Sequence, residues 1–153
     1  MIRIVLSTLG LLLISTSTAA AQARVTLEKK QYKTEERINA RVENTGTQPV
    51  TICIEVGRWS LNKGKVEATP TPFWVEQRTA GKWHMLLLGP DVGSYLHAEV
   101  LDGGKSLQFP FRLGSPGTMR LKFNYWPGSK PNLECKAQPK GANQATSPTF
   151  TVE

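Results

Sequence analysis

His84, Met85, His97 and Met119 carry imidazole and thioether donors of the kind that hold copper in exported carriers. The two histidines fall on different predicted strands, no third histidine completes a set, and both cysteines are expected to be oxidised. The pattern therefore predicts surface histidines and core methionines, with no metal or other cofactor. Hydrolytic chemistry is equally thin. No Gly-x-Ser-x-Gly elbow occurs, and the two aspartates, Asp91 and Asp102, sit beside Gly or Pro in predicted turns. Glu99 is the one local acid near an imidazole, two residues from His97 on one strand face, which predicts a surface ion pair. Gly104-Lys105-Ser106 matches the end of a phosphate-binding loop, but Glu99 stands where the first glycine is needed and a strand follows instead of a helix. These observations predict that the chain is not an enzyme.

The tryptophans offer more. Trp59, Trp74, Trp83 and Trp126 lie in or beside predicted loops and a hairpin, outside the cleanest core faces. Exposed, they would form a binding surface that stacks on sugar rings or fills a partner's pocket. Buried, they would cap the ends of the domain, and capping is the expectation for each ring taken alone.

The first residues indicate where such a surface would work. Met1-Ile2-Arg3 is a short basic start, Ile4 to Ile14 is an apolar run, and Ser15 to Ala23 is small and uncharged, ending in Ala19-Ala20-Ala21 and Ala21-Gln22-Ala23. That layout predicts a signal peptide over residues 1–21, with a second cleavage site after Ala23. The apolar run is too short for a bilayer helix, and no later stretch reaches that length. Cleavage after Ala21 leaves 132 residues, enough for one domain with a hydrophobic core, over residues 22–153. Losing Arg3 leaves 18 basic and 12 acidic side chains, a formal charge of +6. The charges are scattered; only Lys29-Lys30 with Lys33 approaches a cluster, without interleaved aromatics, so nucleic acid is not an expected partner. The protein is expected in the periplasm or outside the cell, as a monomer with no membrane span.

Thirteen Gly and ten Pro, with period-two alternation throughout, predict short strands and frequent turns. Arg24 to Glu28, Arg37 to Glu43, Pro49 to Val56, Phe73 to Arg78, Lys82 to Leu88, Leu96 to Val100, Ser106 to Leu113, Thr118 to Tyr125 and Thr149 to Val152 alternate or read as strands. Asn44 to Thr47, Thr79-Ala80-Gly81 and Asp102-Gly103-Gly104 read as turns. Pro110 places its strand at an edge or beside a bulge. Gly57 to Pro72 and Trp126 to Ser147 are predicted long loops. Half-buried strands of this kind need a second sheet, which predicts a two-sheet antiparallel β-sandwich of seven or eight strands.

Several short motifs resemble bacterial immunoglobulin-like domains of exported proteins. Tyr32, Glu35-Glu36, Ile38 and Asn44 resemble their opening, where a tyrosine, an acidic pair and a strand ending in asparagine recur. Val75-Glu76 followed by Gly81-Lys82-Trp83 resembles their middle hairpin, and Leu101 to Ser106 the turn before their fifth strand. Gly117-Thr118-Met119-Arg120 stands where that pattern has Gly-x-Tyr-Arg; Met119 departs from it, so no tyrosine corner is expected there. The resemblance covers roughly Val25 to Tyr125. It implies an immunoglobulin-like sandwich and an accessory, adhesive or binding role, and it carries no catalytic residue.

Cys53 and Cys135 are the only cysteines, and export predicts a disulfide between them. Cys53 points away from the apolar face formed by Val50, Ile52, Ile54 and Val56. In an immunoglobulin-like sandwich the third and sixth strands are neighbours, so the segment carrying Cys135 can fold back over that outer face. The bridge is thus expected to clamp a loop and not to pin the core. The sequence as a whole predicts an exported, non-catalytic binding or accessory module acting on an envelope protein or a surface polymer. The alternatives are an exported protease inhibitor using a disulfide-braced loop, and a carbohydrate-binding module using exposed tryptophan.

Overall fold

Alternating apolar and polar residues become strands, and turn residues join them. The computed structural model describes residues 22–62, 65–68, 71–86, 91–135 and 140–153, with backbone alone for residues 57–62, 65–68 and 91–95. The expected signal peptide lies outside the described residues. The strands are β1 (Ala23–Leu27), β2 (Gln31–Tyr32), β3 (Ile38–Asn44), β4 (Val50–Asn62), β5 (Lys65–Ala68) and β6 (Phe73–Thr79). They continue with β7 (Lys82–Leu86), β8 (Asp91–Leu101), β9 (Ser106–Phe111), β10 (Gly117–Pro127), β11 (Asn143–Thr146) and β12 (Phe150–Val152).

Two sheets form. The smaller runs β1-β3-β9, antiparallel throughout. The larger is organised by β10, which pairs with β11 and β12 and with β6 and β4. β8 and β5 extend it from β4, and β7 from β6. The first, second and fifth principal strands thus share one sheet (β1, β3, β9), and the third, sixth and seventh share the other (β4, β10, β12). That division is the immunoglobulin-like order, and the fold is an immunoglobulin-like β-sandwich. One departure from antiparallel pairing is the short parallel contact of β2 with β12, Thr151 facing Gln31 and Val152 facing Tyr32.

The inner faces close over one core. Ile38, Ala40 and Val42 from β3 and Phe109 and Phe111 from β9 meet Val50 and Ile52 from β4, Phe73 and Val75 from β6, and Met119, Leu121 and Phe123 from β10. Phe73 joins the sheets directly, with its ring edge-on to Phe109 at 6.2 Å and to Phe111 at 5.2 Å between centroids. Tyr32 packs edge-on to Phe150 at the β2–β12 side. Pro110 lies on β9, an edge strand as its missing N–H requires. Asn44 ends β3 fully buried. Its Nδ2 donates to the carbonyls of Gln48 and Leu101, and its Oδ1 accepts the Gly46 amide. Gly103 must be glycine because a Cβ there would stand 2.6 Å from the Thr47 carbonyl oxygen.

Three expectations are corrected. Gly57 to Pro72 is not a loop throughout: β4 runs on to Asn62 and pairs with β5, with a register shift between Val56 and Arg58 that absorbs Gly57. Trp126 to Ser147 contains the end of β10 and all of β11, so part of this polar stretch is strand as well. Asp91 opens β8 opposite Arg58 and does not sit in a turn, whereas Asp102 does, its carbonyl accepting the Lys105 amide.

Candidate binding surface

The outer face of the larger sheet gathers the side chains that could bind. On β6, Phe73, Val75 and Gln77 face inward, so Trp74, Glu76 and Arg78 face out. The hairpin carries this parity onto β7, where Trp83 lies opposite Arg78 and Met85 opposite Glu76. On β10, Arg120 lies opposite Glu76 and Lys122 opposite Trp74. The β6–β7 turn holds the register: Thr79 faces Lys82, and Ala80 and Gly81 both have positive φ, 49° and 81°. This is the two-residue turn whose twist suits a hairpin.

Glu76 ties the face together. Its Oε2 accepts from Arg120 Nε at 2.7 Å and lies 2.6 Å from Arg120 Nη2, while Oε1 lies 3.5 Å from Lys122 Nζ. Burial pushes its carboxyl up, but the hydrogen bond from Arg120, the charges of Lys122 and Arg120 and a hydrogen bond from Trp74 outweigh it. The group is held below the usual glutamate range. Trp83 reaches across β6 to lie 4.2 Å from the Arg120 guanidinium carbon, a cation–π stack. Trp74 and Trp83 are half-buried and Met85 is 59% exposed. The result is a solvent-facing patch of two indoles, a thioether and two cations set by one buried-side acid.

The same sheet face is covered farther along by the chain itself. Trp126, predicted as a candidate surface residue, is 1% exposed, and its indole N–H donates to the Lys140 carbonyl at 3.2 Å. It faces outward beside Thr51, to which the segment after β10 returns. The Thr51 hydroxyl donates to the Gly128 carbonyl at 2.8 Å and accepts the Lys130 amide at 2.9 Å. Cys53 and Cys135 are disulfide-bonded with their Cα atoms 5.7 Å apart. The bridge thus fastens residues 128–135 across the outside of β4, the loop clamp expected from the cysteine positions, and Trp126 is buried apart from the main core.

The remaining candidates are dispersed. The side chain of Trp59, on β4, lies outside the described residues. His84 is exposed on β7, and His97 lies on β8, which pairs with β4 and not with β7. His97 Nε2 is 4.0 Å from Glu99 Oε2, the surface pair anticipated. Met119 is fully buried on the inner face of β10 while Met85 is on the outer face of β7, so the two thioethers cannot share a ligand. Among the described residues, no three His, Cys, Asp or Glu side chains converge as a metal site. Lys29 is engaged by the Glu36 carboxylate and lies over the Tyr32 ring. Lys105 precedes strand β9, not a helix. Glu76, Arg120 and Lys122 were invisible as a group in the sequence, since only the β6–β10 register joins positions so far apart.

No family profile and no curated protein sequence matches the chain. Among solved structures it is similar to the sporulation control protein Spo0M from Bacillus subtilis, at 15% identity and a TM-score of 0.41, over 88% of this chain and 49% of that one. It therefore spans about half of Spo0M. It is also similar to PapD-like domain 7 of human CEP192, at 13% identity and a TM-score of 0.31, over 96% of this chain and 93% of that domain. A third likeness is AvmM, described as catalysing macrocyclization in alchivemycin A biosynthesis, at 13% identity and a TM-score of 0.38, over 88% and 89%. Likenesses at this level assign neither a family nor an activity.

Proposed function

We propose that the chain is an exported, non-catalytic binding module that engages another envelope protein through the outer face of β6, β7 and β10. The observation that carries this reading is the grouping of Trp74, Trp83, Met85 and Arg120 on one solvent-facing surface. Trp, Met and Arg are the residue types enriched where proteins dock. Export is supported by the first 21 residues and by a disulfide, which persists in oxidising compartments. Cleavage after Ala21 also keeps Gln22, whose carbonyl accepts the Thr45 amide, and leaves β1 whole. A protein partner is favoured over a sugar polymer because Trp126 is buried and Trp83 already stacks on a guanidinium. Protease inhibition is disfavoured because residues 128–135 are bonded down onto β4.

Affinity capture from envelope extract tests the reading, with the mature protein and a Trp83→Ala/Met85→Ala variant run side by side. A protein recovered with the first and lost with the second is the expected result, with urea unfolding showing the variant folded. Equal recovery by both overturns the assignment of this face, and recovery of polysaccharide in place of protein overturns the partner class.

A further inference from the structure

Among the described residues, β7 is bonded along one side only. Its Lys82–Leu86 backbone pairs with β6, and no other described strand pairs with its second edge. The two-residue turn makes Thr79 and Lys82 a hydrogen-bonded pair, and antiparallel alternation then assigns the rest. Gln77–His84 and Val75–Leu86 are bonded pairs; Arg78–Trp83 and Glu76–Met85 are not. The N–H and C=O groups of Trp83 and Met85 therefore point away from β6, toward the open edge. Those two residues also present their side chains on the patch described above, so edge and patch are continuous.

Natural sheets usually protect such an edge. β9 does so with Pro110, which has no N–H to offer. β7 has no proline, and its middle is Trp83-His84-Met85. The charge around it is one-sided: on β6, β7 and the stretch of β10 that pairs with β6, Arg78, Lys82, Arg120 and Lys122 stand against the single acid Glu76, already bonded to Arg120. A second copy of this chain would bring the same cations together. An acidic strand would neutralise them.

We propose that the partner supplies an extended, acidic segment that adds to β7 as a new edge strand, bonding the outward backbone groups of Trp83 and Met85. Because neighbouring residues of a strand face opposite ways, its carboxylates lie on the patch side with Arg78, Arg120 and Lys122, beside Trp83 and Met85, and its apolar side chains fall on the side of Leu86, which packs against the core. The inference rests on the binding face proposed above and specifies how that face is used.

The test uses the mature protein and a fluorescent octapeptide of alternating Val and Glu, with a Val/Lys octapeptide as charge control. Met85→Ala and Met85→Pro both remove the thioether, but only proline removes the outward N–H. Because that N–H is not in the β6 ladder, proline is tolerated there. Met85→Ala is expected to bind the Val/Glu peptide a few-fold more weakly than wild type, for the lost thioether contact, and Met85→Pro about tenfold more weakly than Met85→Ala, the loss of one backbone bond. The Val/Lys peptide is expected to bind about tenfold more weakly than Val/Glu to wild type. A second measurement does not depend on the variant's folding: N-methylation of every other peptide residue should abolish binding in one phase and spare it in the other. Equal binding by the two Met85 variants together with tolerance of both methylation phases overturns strand addition. If Trp83→Ala/Met85→Ala still abolishes capture from extract, the face reading stands without it. No binding of the Val/Glu peptide to wild type at about 1 mM also overturns the proposal.

Discussion

Replacing both cysteines, Cys53→Ala with Cys135→Ala, should lower the stability of a protein of residues 22–153 by about 3 kcal/mol while leaving the native cover over β4 in place. The bridge joins residues 82 apart in sequence. For a closed loop of that length the chain-entropy relation gives about 4.5 kcal/mol at 25 °C, and measured bridges commonly deliver ~2–4. A domain of this size has roughly 5–15 kcal/mol of stability, so the variant should still fold. The effect acts on the unfolded chain, because the native segment has anchors of its own. Thr51 holds the Gly128 carbonyl and the Lys130 amide, and the Gly128 amide donates to the Pro49 carbonyl at 2.8 Å.

Urea unfolding of the oxidised protein and the double variant, combined with hydrogen exchange, separates the two contributions. Free energies and not midpoints must be compared, since a cross-linked unfolded chain is more compact and lowers the denaturant slope. The expected outcome is a global loss near 3 kcal/mol with the Lys130 amide still protected up to the new global limit. A global change below about 1 kcal/mol, with protection lost at Lys130 alone, would show that the bridge only holds the loop and would refute the unfolded-state argument.

Two further outcomes follow from single positions. Ala80 occupies the left-handed region at φ 49°, which costs an ordinary L-residue about 1–2 kcal/mol, so Ala80→Asn should create the favoured Asn-Gly turn and raise stability by about 0.5–1 kcal/mol in the same unfolding assay; an unchanged or lower value would refute the turn assignment. The Glu76 carboxyl is lowered on folding, so its stabilisation is complete above the ordinary glutamate value near 4.3 and is lost as pH falls through the lowered native value; unfolding free energies at pH 7 and about pH 3 should therefore drop more in wild type than in Glu76→Gln, and an equal drop would show that the Arg120 and Lys122 contacts contribute nothing.

What could be read from sequence and what could not divides by the range of the cause. The inward set Met119, Leu121, Phe123 and Tyr125 is legible because alternation is local, and the edge position of β9 because a proline removes a donor. The hairpin at Ala80-Gly81 is legible for the same reason. The extension of β4 is not: Gly57 reads as a breaker, and only pairing with β5 shows that a register shift accommodates it. β11 is polar, Asn-Gln-Ala-Thr, and is a strand because β10 offers it a free edge, not because its composition favours one. Trp126 follows Tyr125 and both are buried, which violates alternation. The violation comes from the chain returning over the outer face, and the disulfide is its one sequence-level sign. The Glu76–Arg120 pair spans 44 residues, and neither residue type nor spacing announces it.

The outer face of the larger sheet contains its own control for the functional argument. At one end the chain buries its indole: Trp126 is bonded to the Lys140 carbonyl, and beside it on β4 Thr51 and Cys53 fasten the residues returning from β10. At the other end Trp74, Trp83 and Met85 lie on the same side of the same sheet beside Arg120, Lys122 and Glu76, the indoles half-buried and the thioether exposed. Both ends are built on β10, so the difference is not one of backbone support. An indole serving only as a cap could be covered as Trp126 is, whereas Trp83 rests on a guanidinium that also remains partly open to solvent. A cation stacked on an aromatic ring gains strength when water is removed from it, which a docking partner does and a free surface does not. The open end thus holds interactions that strengthen on being covered, and β7 has backbone groups turned outward, as the proposed strand addition requires.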